Sequence, residues 1–409
     1  MYRRLLAFVA SVGLVTIVGL LTIPMLISSI GETMWGSLVV LQTLAGIFGV
    51  LVAFGWGVTG PSTIAAAERS ARPGLLREAT ATRVCLYAVC GLAMSVVATA
   101  LLHGDVALAS TGSFTYLLAY VASPWYFVGE ARPDRLFLLN TLPTVVGTLA
   151  GLVLAALTHS ALWFLCAQAA GYLGAIVAEL TVVVLTHRSN RTEPLSIRRM
   201  GRTLAGQRHA VTSSLVTTLY VSSPLLMVQA LAAPLAPTYA VADRLFKFAS
   251  VALSPFQQFF QGWVPEAGPA EIPARARKAA LAGLGAGLLG GTLLAALSPL
   301  ASDILSGGVI HVPPAVSIPL GVAFAAIACS ALIGYACLTL LGGIRYVARG
   351  SIIAAVVGVP LMVIGAALHS LPLVAAAVAV SELVVGIYQA LVLRRMLAQL
   401  PPSEPASSG

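Results

Sequence analysis

The stretch RARKAALAGLGAGLLGGTLLAALSPL, residues 275–300, sets three cations directly ahead of twenty-two residues that carry no charge. A helix of that length rises about 33 Å at 1.5 Å per residue, enough to cross a hydrocarbon core of about 30 Å. Its apolar residues are continuous rather than alternating, so it reads as a helix and not as a barrel strand. The cations in front of it mark a cytoplasmic end. Outward from it in both directions, comparable runs fill the chain, at residues 5–30, 36–60, 84–102, 113–129, 136–157, 161–186, 210–233, 238–263, 316–342, 348–368 and 372–393. Twelve transmembrane helices are therefore expected. The first follows Arg3 and Arg4 as a signal peptide would, but it is too long for a signal core and lacks a small-residue cleavage site, so it counts as a span.

Composition supports this. Of 409 residues, 58% are hydrophobic and 9% charged, against roughly 25% charged in an ordinary soluble domain. So few charges cannot hydrate the surface of a globule, which excludes a soluble enzyme. A disordered chain needs the opposite composition. The formal net charge of +9 is read as loops lying against an anionic inner leaflet, not as a nucleic-acid surface. The five cysteines fall in apolar runs without metal-ligand spacing, and no metal site is expected.

The charges also orient the chain. With the N-terminus inside, the inner segments hold Arg3 and Arg4; Arg69, Arg72, Arg77 and Arg83; Arg132 and Arg135; six arginines from Arg188 to Arg208; Arg275, Arg277 and Lys278; Arg345 and Arg349; and Arg394 and Arg395. These are 21 of the 23 Lys+Arg, and the other two, Arg244 and Lys247, lie within a span. Both termini are thus expected in the cytoplasm. The longest inner loop, a basic linker at about 187–209, divides the chain into an N-terminal lobe (1–200) and a C-terminal lobe (201–395) of six helices each. A disordered tail is expected at 396–409.

The two lobes look like copies. Pro24 and Pro224 lie in the first helix of each, and aligning Trp35 on Tyr239 places Pro61 on Pro265. Val145-Val146-Gly147 matches Val356-Val357-Gly358 at an offset of 211. Six spans per repeat preserve orientation, so the repeats are parallel and are expected to face a central cleft. Gly57 and Gly60 read first as close-packing residues and second as hinge candidates, and Pro24 and Pro224 are hinge candidates with an ordinary static kink as the alternative.

Polar groups inside the spans point to the site. In the eighth span Asp243, Lys247, Ser250, Ser254, Gln257 and Gln261 recur at steps of three and four, on one helix face. Arg244 flanks this stripe. A central charge costs roughly 2.5–3.5 kcal/mol on insertion, so the stripe is read as lining a wet cavity. The alternative is an Asp243–Lys247 pair that serves packing. Glu382 and Glu179 are embedded carboxyls that can pair with a cation, bind a coupling ion or stay protonated. No Ser/His/Asp spacing, metal cluster or phosphate loop supports an enzyme, and the histidines sit in loops or at span ends.

The stretch Ser123-Pro124-Trp125-Tyr126-Phe127-Val128-Gly129-Glu130-Ala131-Arg132, running into Leu138-Leu139-Asn140, resembles the end of the fourth helix in bacterial polysaccharide flippases. These are the O-antigen/teichuronic-acid-type members of the multidrug/oligosaccharidyl-lipid/polysaccharide exporter superfamily. Trp35-Gly36, Phe54-Gly55, Gly60-Pro61 and Tyr239-x-x-Ala-Asp243-Arg244 are similar to that family as well. The resemblance implies a multi-pass protein of the bacterial cytoplasmic membrane that moves a polyprenyl-diphosphate-linked oligosaccharide from the inner to the outer leaflet by alternating access. It implies membrane lipids as surroundings and glycan polymerases or glycosyltransferases as neighbours, with no cofactor. Arg244 and Lys247 would meet the diphosphate in the cleft, with Asp243, Gln257 and Gln261 beside them. Arg132 and Arg135 would meet it at the inner mouth, unless they are only topology-setting cations. A proton or sodium ion acting at Glu382, Glu179 or Asp243 is the candidate coupling ion. An exporter of drugs or small metabolites is the alternative, and a membrane glycosyltransferase or polymerase a more distant one.

Overall fold

All twelve apolar runs form helix in the computed structural model, which describes residues 2–130, 132–186, 197–264 and 271–399; no strand occurs among the described residues. In chain order the helices are α1 (Tyr2–Ile30), α2 (Glu32–Ala53, resumed as Trp56–Ala66), α3 (Arg72–Leu101), α4 (Val106–Val121, resumed as Pro124–Gly129), α5 (Pro133–Thr158) and α6 (Ala161–Thr186). The second six are α7 (Ile197–Leu231), α8 (Ala236–Ala252, resumed as Ser254–Trp263), α9 (Ile272–Ser306), α10 (Pro314–Leu338), α11 (Ile344–Ala367) and α12 (Leu371–Ala398). Ten contain a stretch long and apolar enough to cross a membrane, and the described part of α1, Leu14–Ile30, is a shorter apolar helix. The twelfth, α8, is divided at Leu253 because Pro255 has no N–H to continue the ladder.

The stretch expected as linker is helical from Ile197 onward, with 187–196 outside the described residues. Helix α12 runs on to Ala398, into the segment expected as tail, and 400–409 lie outside the described residues. Contacts divide the chain into two compact units, one of Met1–Ser222 with Leu305–Gly307, the other of Ser223–Ile304 with Gly308–Gly409.

Within each unit the same helix pairs pack, six positions apart. In the first, α5 packs on α6, α4 on α6, α2 on α4, and the resumed part of α2 on the resumed part of α4. In the second, α11 packs on α12, α10 on α12, α8 on α10, and the resumed part of α8 on the end of α10. Apolar lipid tails give no hydrophobic drive for helix association, so close van der Waals packing of small residues holds such pairs. A Cβ on Gly147 of α5 would lie 2.6 Å from the Gly171 Cα of α6, and one on Gly358 of α11 would lie 2.9 Å from the Ser381 Cβ of α12. The offset between Gly147 and Gly358 read from the sequence thus joins two positions that do the same packing job.

Candidate functional site

The residues singled out in the sequence fall into four places. The first is α8, where Asp243 is 8% exposed and the Lys247 ammonium donates to its Oδ2 at 2.6 Å. Four residues are little more than one helical turn, so the two side chains meet on one face. Arg244 and Gln257 are half-buried, and the Gln261 side chain lies outside the described residues. The expected stripe is divided. Asp243, Lys247 and Ser250 stand on the part before the Pro255 interruption, Gln257 and Gln261 on the part after it. Ser250 spends its hydroxyl on the Phe246 carbonyl at 2.8 Å. Leu245, Ala249 and Ala252, on the opposite face of the same segment, line a cavity of about 420 Å³ with Leu289, Leu293 and Phe324. That cavity is apolar, so α8 separates a charged face from an oily one.

The second place is the segment after α4. Glu130 Oε1 lies 3.9 Å from Arg72 Nη1 and its Oε2 lies 3.9 Å from Arg135 Nη1. One carboxylate is thus shared between two guanidiniums, which leaves N–H groups on both for another anion. Arg132 is exposed and donates to Asp134 from Nε at 3.3 Å and from Nη2 at 3.2 Å.

Glu179 marks the third place, which the sequence only half revealed. It is 2% exposed, and its two oxygens accept from the Ser123 backbone N–H and from Asn140 Nδ2, each at 2.7 Å. Arg83, counted from the sequence among inner-loop cations, is 1% exposed in α3. Its Nη1 donates to the Ala122 carbonyl at 2.7 Å, its Nη2 to Ser123 Oγ at 2.7 Å, and its Nε to the Ala79 carbonyl at 3.1 Å. The physical reason is the interruption of α4 at Ala122–Ser123. Breaking a buried helix frees backbone N–H and C=O groups that must find partners. Arg83 supplies donors and Glu179 an acceptor, one from each side of Ser123. The arginine also lies 5.3 Å over the Trp125 ring.

Around that node the aromatic motif is core. Trp125 stacks on Trp56 with centroids 5.0 Å apart, and Tyr126 and Phe127 are fully buried. Gly60 faces Trp125 so closely that a Cβ would overlap the indole, and a Cβ on Gly129 would lie 2.7 Å from the Pro61 carbonyl. Gly60 therefore packs. Gly57 is exposed with open space beside it. The α2 interruption falls earlier, at Phe54 and Gly55, with φ of 41° and 80°. Helices α1 and α7 run unbroken through Pro24 and Pro224. Gly60→Val should unstack Trp56 and Trp125. We expect loss of most folded protein, seen as a collapsed monodisperse peak in size-exclusion chromatography, whereas Gly57→Val should leave that peak intact.

The fourth place is the middle of α12, where Glu382 is 9% exposed and follows Ser381, the residue packed on Gly358. No group of three or more His, Cys, Asp or Glu side chains that could hold a metal ion is found among the described residues. The sequence overlooked Arg83 because a cation near a span's inner end reads first as a topology signal. The Ser-Pro pair at 123–124 was the available clue that α4 breaks there and needs partners.

No protein-family model matches the chain, and no curated protein matches it. Solved structures do. The inward-facing conformation of a multidrug resistance MATE family transporter of the MOP superfamily matches with a TM-score of 0.60 at 13% identity, over 96% of this chain and 96% of that one. The lipid II flippase MurJ in an inward closed conformation matches with a TM-score of 0.61 at 10% identity, over 96% of this chain and 89% of that one. An outward-facing MATE transporter of the same superfamily matches with a TM-score of 0.52 at 13% identity, over 98% and 95%. At such identities the likeness is one of fold: the chain has the twelve-helix, two-repeat fold of these transporters.

Proposed function

We propose that this protein is a flippase of the bacterial cytoplasmic membrane that carries a polyprenyl-diphosphate-linked oligosaccharide from the inner to the outer leaflet. The observation that carries the reading is the charged face of α8, on a fold that the chain shares with a lipid II flippase. A diphosphate needs cations where water is scarce, and Lys247 and Arg244 are the two that the positive-inside pattern does not account for. Asp243 holds Lys247 in place until an anion competes for it. Arg132 and Arg135 would take the diphosphate at the cytoplasmic mouth, with both termini on that side. Gln257 and Gln261 would hydrogen-bond sugars. Glu382, Glu179 or Asp243 would take a coupling proton or sodium ion. The partners would be glycan polymerases or glycosyltransferases that consume the flipped lipid. The fold likeness to multidrug transporters favours a second reading, an exporter of small molecules.

A leaflet-resolved assay separates the two. Depletion should trap lipid-linked oligosaccharide on the cytoplasmic leaflet while drug sensitivity stays unchanged. Ordinary glycan export after deletion, with raised drug sensitivity, would instead establish the exporter. Arg244→Ala and Lys247→Ala should each lower flipping at least about tenfold, the worth of one charge-assisted hydrogen bond, at an unchanged amount of membrane protein. Because Lys247→Ala strands Asp243, the double variant Asp243→Asn with Lys247→Gln serves as the packing control. It should keep the amount of protein at the wild-type level while flipping stays low.

A further inference from the structure

The node at Glu179 has a counterpart in the second unit, and the two differ in one physical respect. Glu179 and Gln389 are 210 positions apart, Asn140 and Gly350 are 210 apart, and Ser123 and Gly334 are 211 apart. Those spacings lie within one residue of the Gly147–Gly358 offset of 211. Contacts agree as well. Glu179 of α6 touches Ser123 at the α4 interruption and Asn140 at the start of α5. Gln389 of α12 lies against Gly334 of α10 and Gly350 of α11, where added Cβ atoms would sit 3.1 Å from its Oε1 and its Nε2. The same three helices meet at the same heights, with a glutamine for the glutamate and two glycines for the serine and the asparagine.

In the first unit the Ala122 carbonyl and the Ser123 hydroxyl have a donor in Arg83, the Ser123 N–H has an acceptor in Glu179, and Glu179 has a second donor in Asn140. In the second, Gln389 is 4% exposed and its Oε1 has no hydrogen-bond partner. Gly350 has no side chain to donate as Asn140 does, and the Gly334 N–H does not bond it as the Ser123 N–H bonds Glu179. Each unit has a π-segment beside this node: Phe137–Thr141 of α5 in the first, where Asn140 is tied to Glu179, and one in α10 in the second. Residues Leu332–Leu338, with Gly334 among them, widen into a π-helix, and the Gly334 carbonyl is taken by Thr339 through both its N–H at 3.0 Å and its Oγ1 at 2.9 Å. A π-segment stores a register change that a helix can release. A glycine inside it removes the side-chain barrier to that change. A buried acceptor without a donor raises the free energy of this arrangement relative to any that supplies one.

We propose that the two repeats carry one joint in two states of repair: locked by Arg83 and Glu179 in the first unit, and free to shift register at Gly334 and Gln389 in the second. The π-segment of α10 is then where the second unit deforms during transport, Gln389 gaining its missing donor in the alternate register. This rests on the transport reading above, but the joint can be tested without substrate.

The test is hydrogen exchange by mass spectrometry on the full chain in nanodiscs. Peptides covering 332–342 should exchange at least about tenfold faster than those covering 120–130. Gly334→Ser brings a hydroxyl to Gln389 Oε1, as Ser123 brings its N–H to Glu179. It should slow exchange at 332–342 about fivefold, one net hydrogen bond, and slow flipping in the leaflet assay to a similar degree without lowering the melting temperature. Gly334→Ala carries the same Cβ without the donor and should leave the exchange as in the wild type. Equal exchange of the two segments in the wild type would overturn the proposal, as would equal effects of serine and alanine. A chain that moved no lipid-linked sugar yet showed the exchange asymmetry and the serine effect would remove the flippase reading and keep the joint.

Discussion

Arg83→Met will cost about 2–6 kcal/mol of stability, because two buried acceptors each lose their donor at about 1–3 kcal/mol apiece. Glu179, 2% exposed, would remain at Ser123 while the interrupted α4 loses the guanidinium that reaches it from α3. The Ala122 carbonyl and the Ser123 hydroxyl would lose donors at 2.7 Å in the same step. The residues that follow the interruption, Trp125 to Phe127, hold the base of the first unit together, so the damage should spread through that cluster. Thermal unfolding in detergent, followed by tryptophan fluorescence, reads the effect directly. The companion Glu179→Gln removes the charge while its Oε1 still accepts from the Ser123 N–H. The double variant Arg83→Met with Glu179→Gln should therefore be more stable than Arg83→Met alone. A double variant no better than the single would mean that the guanidinium acts only through its neutral hydrogen bonds.

Gly147→Leu is the second large effect. A Cβ there would lie 2.6 Å from the Gly171 Cα and 2.9 Å from the Ala167 carbonyl, and both are backbone. A flexible side chain can swing away from such a clash, whereas a packed helix must move as a whole. Overpacking ordinarily costs about 1–3 kcal/mol, and a clash with two backbone atoms belongs at the upper end. Helices α5 and α6 would separate, and Asn140 on α5 would move away from Glu179 on α6. Loss of correctly folded protein, assayed by size-exclusion chromatography of a fluorescent fusion, is the expected outcome. Gly46→Leu is the control. Gly46 also lies in a span but has nothing within 4 Å, so its variant should accumulate normally.

These two cases show what kind of information the chain displays openly. Twelve runs of apolar residues, and cations gathered at alternate ends, are properties of each segment alone. A helix must cross the membrane with its own backbone bonds satisfied, so composition along the segment decides the outcome. The Val-Val-Gly match at 145–147 and 356–358 pointed to a repeated packing contact for the same reason: a small residue at a fixed height is legible without its partner. Arg83 was not legible. Its role depends on α4 breaking at Ser123, and a guanidinium aimed at a freed carbonyl and a hydroxyl differs in no local feature from one facing the cytoplasm. Gly60 illustrates the converse. As a small residue it suits close packing, and only the structure shows that its partner is the indole of Trp125.

By itself, then, the sequence determined the class of molecule: a twelve-helix chain in two parallel repeats, with the positive-inside bias predicting which ends face the cytoplasm. That is possible because the bilayer acts on each segment separately, through the transfer free energy of its own side chains. The tertiary structure alone decided which of the embedded polar groups hold the fold and which are left for work. It joined Arg83 and Glu179 into a lock and left Gln389 without a donor, and it divided the α8 stripe at Leu253. Such assignments depend on which groups from distant segments meet at a broken helix, and the cost of a buried polar atom is set by its neighbours in space rather than by its neighbours in the chain.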